Sequence, residues 1–222
     1  MKHRFLLALA VVMMAGCSSQ AEPEKQTETV EETADEKTVT VKENPDYFAP
    51  ENPTEYIAET YDALSASLTE DDRAQAEAAA RYFLADFFTL SNKEGETDIG
   101  GLDLIPSGSA ENFKEYAAYY YYNNMPEIIT AQGKPALPSV TEVTLSEPTE
   151  ETVTYEDAEY PGYTFDVTLK YRESPEASQF KTTARCTIIK MSDVHYVDRA
   201  AVTSDKEAGE PKEVWRVIAV VD

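Results

Sequence analysis

Few side chains of this sequence have the type and position that acid–base chemistry requires. Asp86 lies at the edge of the apolar arc of a predicted helix, where partial burial would raise the pKa of its carboxyl group and suit it to accept a proton. His195, Tyr120 and Tyr121 are further groups that could exchange protons with it. No pair of these residues has a spacing that identifies a catalytic site, and a carboxylate at a helix edge is usually solvated. We therefore predict no catalytic residue and keep Asp86, Tyr120 and His195 as candidates for ligand binding.

A glycine-rich loop is expected after this helix, in the segment from Asp98 to Gly101. Paired glycines permit positive φ angles and a close approach of backbones, so a shaped loop is the simpler interpretation and a ligand contact through Asp98 is the alternative. Carboxylates lie nearby at Glu94, Glu96 and Asp103, but their spacing does not match a calcium-binding loop. The sequence also contains no nucleotide-binding glycine motif. We expect neither a metal nor a cofactor.

Four consecutive tyrosines, Tyr119 to Tyr122, occur in a predicted helix and so cover every side of it. The helical period predicts that Tyr116 and Tyr120 pack inward. It leaves Tyr119 or Tyr122 as an exposed aromatic surface suited to a protein or glycan partner. An alternative is that the exposed ring only fills an amphipathic surface.

The charge of the chain limits its partners. The 222 residues include 42 acidic and 19 basic side chains, which gives a formal net charge of −23. Sequence-independent binding to nucleic acid would have to overcome the repulsion between this negative charge and the phosphates, so we exclude nucleic acid as a partner. The length suits one domain with a tail.

The first 16 residues have the pattern of an export signal. Lys2 and Arg4 precede an apolar run of eleven residues, Phe5 to Ala15, which is too short to span a bilayer. The run ends in Met14-Ala15-Gly16-Cys17, which resembles the lipobox of bacterial lipoproteins except that Met14 stands where a branched aliphatic residue is usual. The resemblance implies cleavage before Cys17 and a diacylglyceryl group on its sulfur, with acyl chains such as palmitate. The protein is then expected on the extracytoplasmic side of the cell membrane, held there by lipid.

Composition divides the rest of the chain into a tether and a domain. Residues 17–46 form the lipidated cysteine and an acidic linker without aromatic residues, which is typical of disorder. Residues 47–222 form one domain, in which the remaining cysteine, Cys186, has no disulfide partner and is expected to be a small buried hydrophobe.

The hydrophobic period of the domain changes once, from helical to extended. Helices are predicted within 54–130: one near Thr54 to Leu68, one capped by Thr69 and running to about Ser91, one from Ser109 to about Asn124, and a short turn after Pro126. Strands are predicted within 138–222, most clearly at Tyr163–Tyr171, Phe180–Met191 and Val214–Val221, where Trp215, Val217, Ala219 and Val221 should share one face. Helices followed by strands indicate an α+β fold, with N-terminal helices packed on a curved, mainly antiparallel sheet.

This order of elements resembles the cone-shaped NTF2-like superfamily. The segment YFLADFFTLSNKEGETDIGGLDLIPSG, Tyr82 to Gly108, is similar to a pattern found in uncharacterised envelope lipoproteins of that superfamily. The resemblance implies a sheet folded around a cavity. Some members use that cavity as an active site and others as a binding surface, so the fold alone does not decide the function.

Three functions follow as hypotheses from these observations. The first is a membrane-tethered, non-catalytic domain that binds a small ligand or an envelope protein. The second is a cavity enzyme of the ketosteroid-isomerase or dehydratase type that uses Asp86 and His195. The third is a component of a conjugation or secretion apparatus.

Overall fold

The computed structural model describes residues 39–174, 177–196 and 208–221. Within these ranges, helices occupy the first half of the domain and antiparallel strands the second half, and the helices pack against a curled sheet that forms a half-barrel. The predicted α+β class with helices on an antiparallel sheet is confirmed. The export signal, Cys17 and the linker up to residue 38 lie outside the described residues.

Four α-helices and one π-helical turn precede the sheet. They are α1 (Glu55–Ser67), α2 (Asp72–Phe87), α3 (Ala110–Ala117), a π turn (Ala118–Tyr122) and α4 (Met125–Gln132). α1 begins where predicted, because the Thr54 side chain accepts a hydrogen bond from the Ile57 backbone N–H. α4 ends at Gly133, whose φ of 85° does not continue a helix.

Both ends of α2 differ from the prediction. The N-cap is Asp71 rather than Thr69, since its carboxylate accepts a hydrogen bond from the Ala74 N–H at 2.9 Å. The helix ends at Phe87, four residues before the predicted end. The Leu90 and Ser91 N–H groups instead donate to the Pro138 carbonyl, which draws the chain toward the start of the sheet.

The π turn places the tyrosines differently from the prediction. Ala117 and Tyr122 are both fully buried, five residues apart, which is the repeat of i→i+5 hydrogen bonding rather than that of an α-helix. Tyr120 is therefore 62% exposed, so its predicted inward packing was wrong, and Tyr122 is in the core. Tyr116 is 52% exposed, also against the prediction, because it borders an open groove. Tyr119 is exposed as one of the two predicted alternatives.

Five strands form one antiparallel sheet. They are β1 (Val140–Leu145), β2 (Thr149–Tyr155), β3 (Ala158–Tyr171), β4 (Thr183–Tyr196) and β5 (Ala208–Val221), in the order β1-β3-β4-β5. β2 also pairs with β3, next to its N-terminal half, while β1 pairs with the C-terminal half. A two-residue turn at Glu156 and Asp157, with φ of 48° and 65°, joins β2 to β3.

A bulge in β5 changes which side chains share a face. Ile188 pairs with Val217 but Thr187 pairs with Ala219, so β5 carries one extra residue at Ile218. The alternation predicted for Trp215, Val217, Ala219 and Val221 therefore does not continue, and Val221 is 52% exposed.

The end of the predicted linker packs on the domain. The side-chain oxygen of Asn44 accepts a hydrogen bond from the Tyr47 backbone N–H, and the Asn44 backbone N–H donates to the Tyr61 hydroxyl. Lys212 of β5 donates to the Asp46 carboxylate at 3.0 Å. The chain thus packs on the domain from Val41 onward, and from Asn44 it is also hydrogen-bonded to α1 and to the first half of β5.

Candidate functional site

An aromatic groove of about 390 Å³ lies between α3 and the C-terminal end of β5. Six aromatic side chains contribute to its walls: Phe83, Phe87, Phe113, Tyr116, Tyr121 and Tyr155. Phe83 and Phe87 come from α2, and their rings stack with an interplanar angle of 7°. The volume lies within the range of small-ligand and side-chain pockets. We call this site the aromatic groove.

The groove runs along the edge of β5 rather than over one of its faces. All five residues from Val217 to Val221 contribute to its lining. Because successive side chains of a strand point to opposite faces, a site that touches five consecutive residues must lie beside the backbone. In the described part of the sheet, β5 is the terminal strand and pairs only with β4. Its other backbone edge therefore faces the groove.

Exposed tyrosines extend the groove onto the surface. The exposed fractions of Tyr116, Tyr119 and Tyr120 are 52%, 67% and 62%. The Tyr120 ring lies 4.5 Å from the Tyr116 ring and 4.7 Å from the Tyr119 ring, measured between centroids. These distances are those of favourable aromatic pairs, so the three rings form one continuous surface.

A second pocket of about 300 Å³ lies on the other side of Phe87 and Tyr121, which line both sites. Its floor is apolar, with Phe88, Leu90 and Met125 among its residues. The Phe87 and Tyr121 rings lie 5.3 Å apart and separate the two sites.

Exposed carboxylates occur on elements that form the aromatic groove, although none of them is among the groove-lining residues. Glu111 and Glu115 lie on α3 together with Lys114, and neither pairs with a cation among the described residues. The Tyr155 hydroxyl lies 2.7 Å from the Ser109 hydroxyl, which brings the β2–β3 turn with Glu156 next to the start of α3. Burial raises the pKa of Tyr155, and the charge of Glu156 adds to this shift. Near the groove, α3 and the β2–β3 turn thus carry exposed carboxylates, among them Glu111, Glu115 and Glu156, and one basic side chain, Lys114.

Asp86 lines neither the aromatic groove nor the second pocket. Its side chain is 3% exposed, and one carboxylate oxygen lies 2.5 Å from the Lys93 ammonium, whose side chain is 5% exposed. The other oxygen accepts a hydrogen bond from the Gly101 N–H at 2.8 Å. Asp86 is thus completely buried rather than partly buried as expected, since the chain that follows α2 covers it. Both oxygens serve to hold this chain, and no room is left for a substrate.

The glycine pair is held against α2 and the π turn. A side chain at Gly100 would place Cβ 2.4 Å from the Asp86 carbonyl oxygen, and at Gly101, whose φ is 69°, Cβ would lie 2.6 Å from the Phe83 ring. The Tyr122 hydroxyl donates to the Phe87 carbonyl and accepts from the Gly100 N–H. This segment positions the groove-lining residues of α2 and is not itself part of the groove.

Among the other candidate residues, Asp98 and Cys186 are not part of the groove lining. Asp98 is at the surface, where its carboxylate accepts a hydrogen bond from the Glu94 N–H at 2.9 Å. His195 is a residue of β4, and its side chain is outside the described part of the chain, as is Cys17. Cys186 is fully buried, as expected, and burial raises the pKa of its thiol to about 12. At neutral pH this thiol is therefore not a nucleophile.

Sequence analysis did not identify Lys93 or the β5 edge. Lys93 follows the helix by six residues, and no periodicity marks a lysine there as buried. For β5 a signal was available, because Val217 to Val221 form five apolar residues without a charge or proline, the devices that usually protect an edge strand. That this strand lies at the edge follows only from the sheet order.

The described residues match neither the pattern expected of a membrane-spanning helix nor that of a metal site. No helix among them is both long and apolar enough to cross a membrane. No three of their histidine, cysteine, aspartate or glutamate side chains are arranged to hold a metal ion. Comparisons of the chain with protein-family models, curated proteins and solved structures find no match.

Proposed function

We propose that this protein is a bacterial lipoprotein, tethered through Cys17 to the extracytoplasmic side of the cell membrane, whose NTF2-like domain is a non-catalytic binding module. The helices and half-barrel sheet are compatible with an NTF2-like architecture. The lipobox resemblance of Met14-Ala15-Gly16-Cys17 is the basis for the tether.

The aromatic groove is the observation that carries the binding function. Large aromatic side chains are usually buried, and a contiguous exposed group of them next to an apolar groove indicates an interaction site. Tyr116, Tyr119 and Tyr120 form such a group here. Tyrosine offers a large, stiff contact area and a hydroxyl that can still bond to water or to a partner. The domain therefore binds its partner through this surface.

The buried pair of Asp86 and Lys93 speaks against the alternative of a cavity enzyme. Proton transfer needs a carboxylate within hydrogen-bond reach of the substrate. Both oxygens of Asp86 are bound within the protein. No described feature favours the third hypothesis, a component of a conjugation or secretion apparatus, over a separate binding module.

Photo-cross-linking in living cells tests this proposal. Replacing Tyr120 by the photoreactive amino acid p-benzoylphenylalanine keeps an aromatic ring at the site, and irradiation is expected to give a discrete adduct. The control is the same replacement at Glu59, an exposed residue of α1 that lines neither pocket. The adduct from position 120 should disappear when Tyr116→Ser is added. Equal adducts from both positions, or none from position 120, would contradict the proposal.

A further inference from the structure

The aromatic groove combines three features that together specify its partner. These are the open backbone edge of β5, the apolar floor and the exposed carboxylates on the surrounding elements. We infer that the groove binds an extended, basic polypeptide segment of a partner protein, which adds a strand to β5 and places arginine or lysine side chains beside the tyrosines. This inference rests on the proposed binding function and names the class of partner.

The edge of β5 supports an extended peptide. An edge strand presents unpaired N–H and C=O groups, and peptides that add a strand satisfy them. Proteins normally protect such edges with lysine, proline or a covering segment. Val217 to Val221 contain neither residue, and Val221 is 52% exposed. Because the groove runs along this edge, a peptide strand beside β5 would lie in the groove itself.

The floor of the groove supports apolar side chains in the partner. Alternate side chains of an added strand point to one face of the sheet, and here that face meets Phe87, Phe113 and Tyr121. Alternating apolar residues in the peptide would fill this space.

The charge of the surrounding elements supports basic side chains. Glu111 and Glu115 of α3 and Glu156 of the β2–β3 turn are exposed on elements that form the groove, and no charged side chain is among the groove-lining residues themselves. Cations also bind favourably to the faces of tyrosine rings, and Tyr116 and Tyr120 offer such faces. A second copy of this chain would also be strongly acidic, with a formal net charge of −23 over its whole length, which disfavours self-association.

Selection from a random peptide library tests the inference. The full chain, purified in mild detergent, is immobilised and presented with a displayed library of peptides without charge bias. Peptides whose binding falls at least tenfold with Tyr116→Ser are retained. We expect these peptides to be enriched in arginine or lysine that alternates with apolar residues.

Synthetic versions of the selected peptides test the two parts of the inference separately. N-methylation at alternate positions should weaken binding at least tenfold, and N-methylation at the intervening positions should be tolerated, since only alternate N–H groups of a strand face its neighbour. Binding should also weaken severalfold with Glu111→Gln/Glu115→Gln, but not with the matched pair Glu59→Gln/Asp62→Asn on α1.

Other results of these experiments would contradict either the inferred class of partner or the proposed binding function. Groove-dependent peptides that are neutral or acidic, or that tolerate N-methylation everywhere, would overturn the inference and leave the binding function intact. Recovery of no peptide that depends on Tyr116 would overturn the binding function itself. A concentration-dependent dimer in sedimentation that peptides dissociate would identify a second copy as the occupant and so refute a separate partner.

Discussion

At the scale of single residues, two buried ion pairs link separate segments of the domain. Lys93 binds Asp86 after α2, and Arg216 of β5 binds Asp193 of β4 at 2.8 Å. Removing one partner of a buried pair leaves a charge without compensation, which is far more destabilising than losing an exposed pair. Breaking either buried pair should therefore lower the free energy of unfolding more than breaking an exposed ion pair.

Replacing Lys93 by methionine tests the first pair. Lys93→Met should lower the free energy of unfolding by about 3–5 kcal/mol, because Asp86 keeps only the bond from Gly101. Asp86→Asn/Lys93→Met should recover part of this loss, since asparagine still accepts that bond and carries no charge. Urea unfolding, followed by the fluorescence of the only tryptophan, Trp215, measures both. The control is Lys170→Met, which breaks the exposed pair with Glu142 and should change the free energy by less than about 1 kcal/mol. A loss for Lys93→Met no larger than this control would contradict the prediction.

The second pair should give the domain an acid-sensitive stability. Burial alone would raise the pKa of Asp193, but hydrogen bonds from Ser107 and the charge of Arg216 outweigh it and hold the pKa below its usual value. A carboxyl group with a lowered pKa stabilises the folded state above its unfolded pKa of about 4, and this contribution is lost as the pH falls through the lower, folded value. The difference in unfolding free energy between wild type and Asp193→Asn should thus shrink between pH 5 and about pH 2. Urea unfolding across this range measures the difference, and a constant value would contradict the prediction.

Residue types predicted the candidate site only in part. The sequence identified Asp86 as unusual, because a carboxylate beside an apolar helix face is close to the core. It identified the tyrosine run as unusual, because four consecutive rings on one helix cannot all pack into the core. It could not supply the partners of these groups. Lys93 neutralises Asp86 only through the path of the chain after α2, and long-range contacts of this kind leave no local pattern.

At the scale of elements, the π turn decides which tyrosines are exposed. One extra residue between Ala117 and Tyr122 keeps both in the core and leaves Tyr119 and Tyr120 outside. Turns of this kind are rare and often occur at functional sites. Sequence periodicity assumes 3.6 residues per turn, so it assigned Tyr120 to the core and could not decide between Tyr119 and Tyr122 for the surface.

Deleting Tyr119 tests the role of the π turn. Ala117 and Tyr122 would then be four residues apart and remain on one face of a regular α-helix, so we expect the free energy of unfolding to change by less than about 1 kcal/mol. Deleting Glu77 from the regular helix α2 is the control. It would turn every later residue of that helix by about 100°, move Phe83 and Phe87 out of the core and prevent folding. Circular dichroism and urea unfolding distinguish these results, and an unfolded Tyr119 deletion would show that the π turn itself is needed for the fold.

At the scale of the whole molecule, the general architecture was predictable and the geometry of the sheet was not. The change from helical to alternating periodicity predicted helices before strands, and the structure has them at 55–132 and 140–221. Alternation along β3 also predicted that Phe165, Val167 and Leu169 are buried. Alternation does not reveal which strands are neighbours or where a bulge occurs, so neither the edge position of β5 nor the bulge at Ile218 could be foreseen.

The proposed anchor gives a prediction for the intact protein. Cys17→Ser removes the sulfur that the lipid would occupy, and we expect the protein to move from the membrane fraction to the soluble envelope fraction or the medium. Two or more acyl chains hold a protein on a bilayer firmly, whereas the described residues contain no spanning helix. Fractionation without detergent, with detection by antibody, measures the shift. Unchanged membrane retention of the variant would contradict lipid anchoring.

The contact between Lys212 and Asp46 fixes where the N-terminal segment reaches the domain. This contact lies in the first half of β5, whereas the groove is lined by Val217 to Val221 at the C-terminal end of the same strand. Nine steps of extended strand separate Lys212 from Val221, a span of roughly 30 Å. With the proposed lipid anchor, a pull along the N-terminal segment would enter the domain at Asp46 and Lys212, roughly 30 Å along β5 from Val221 in the groove.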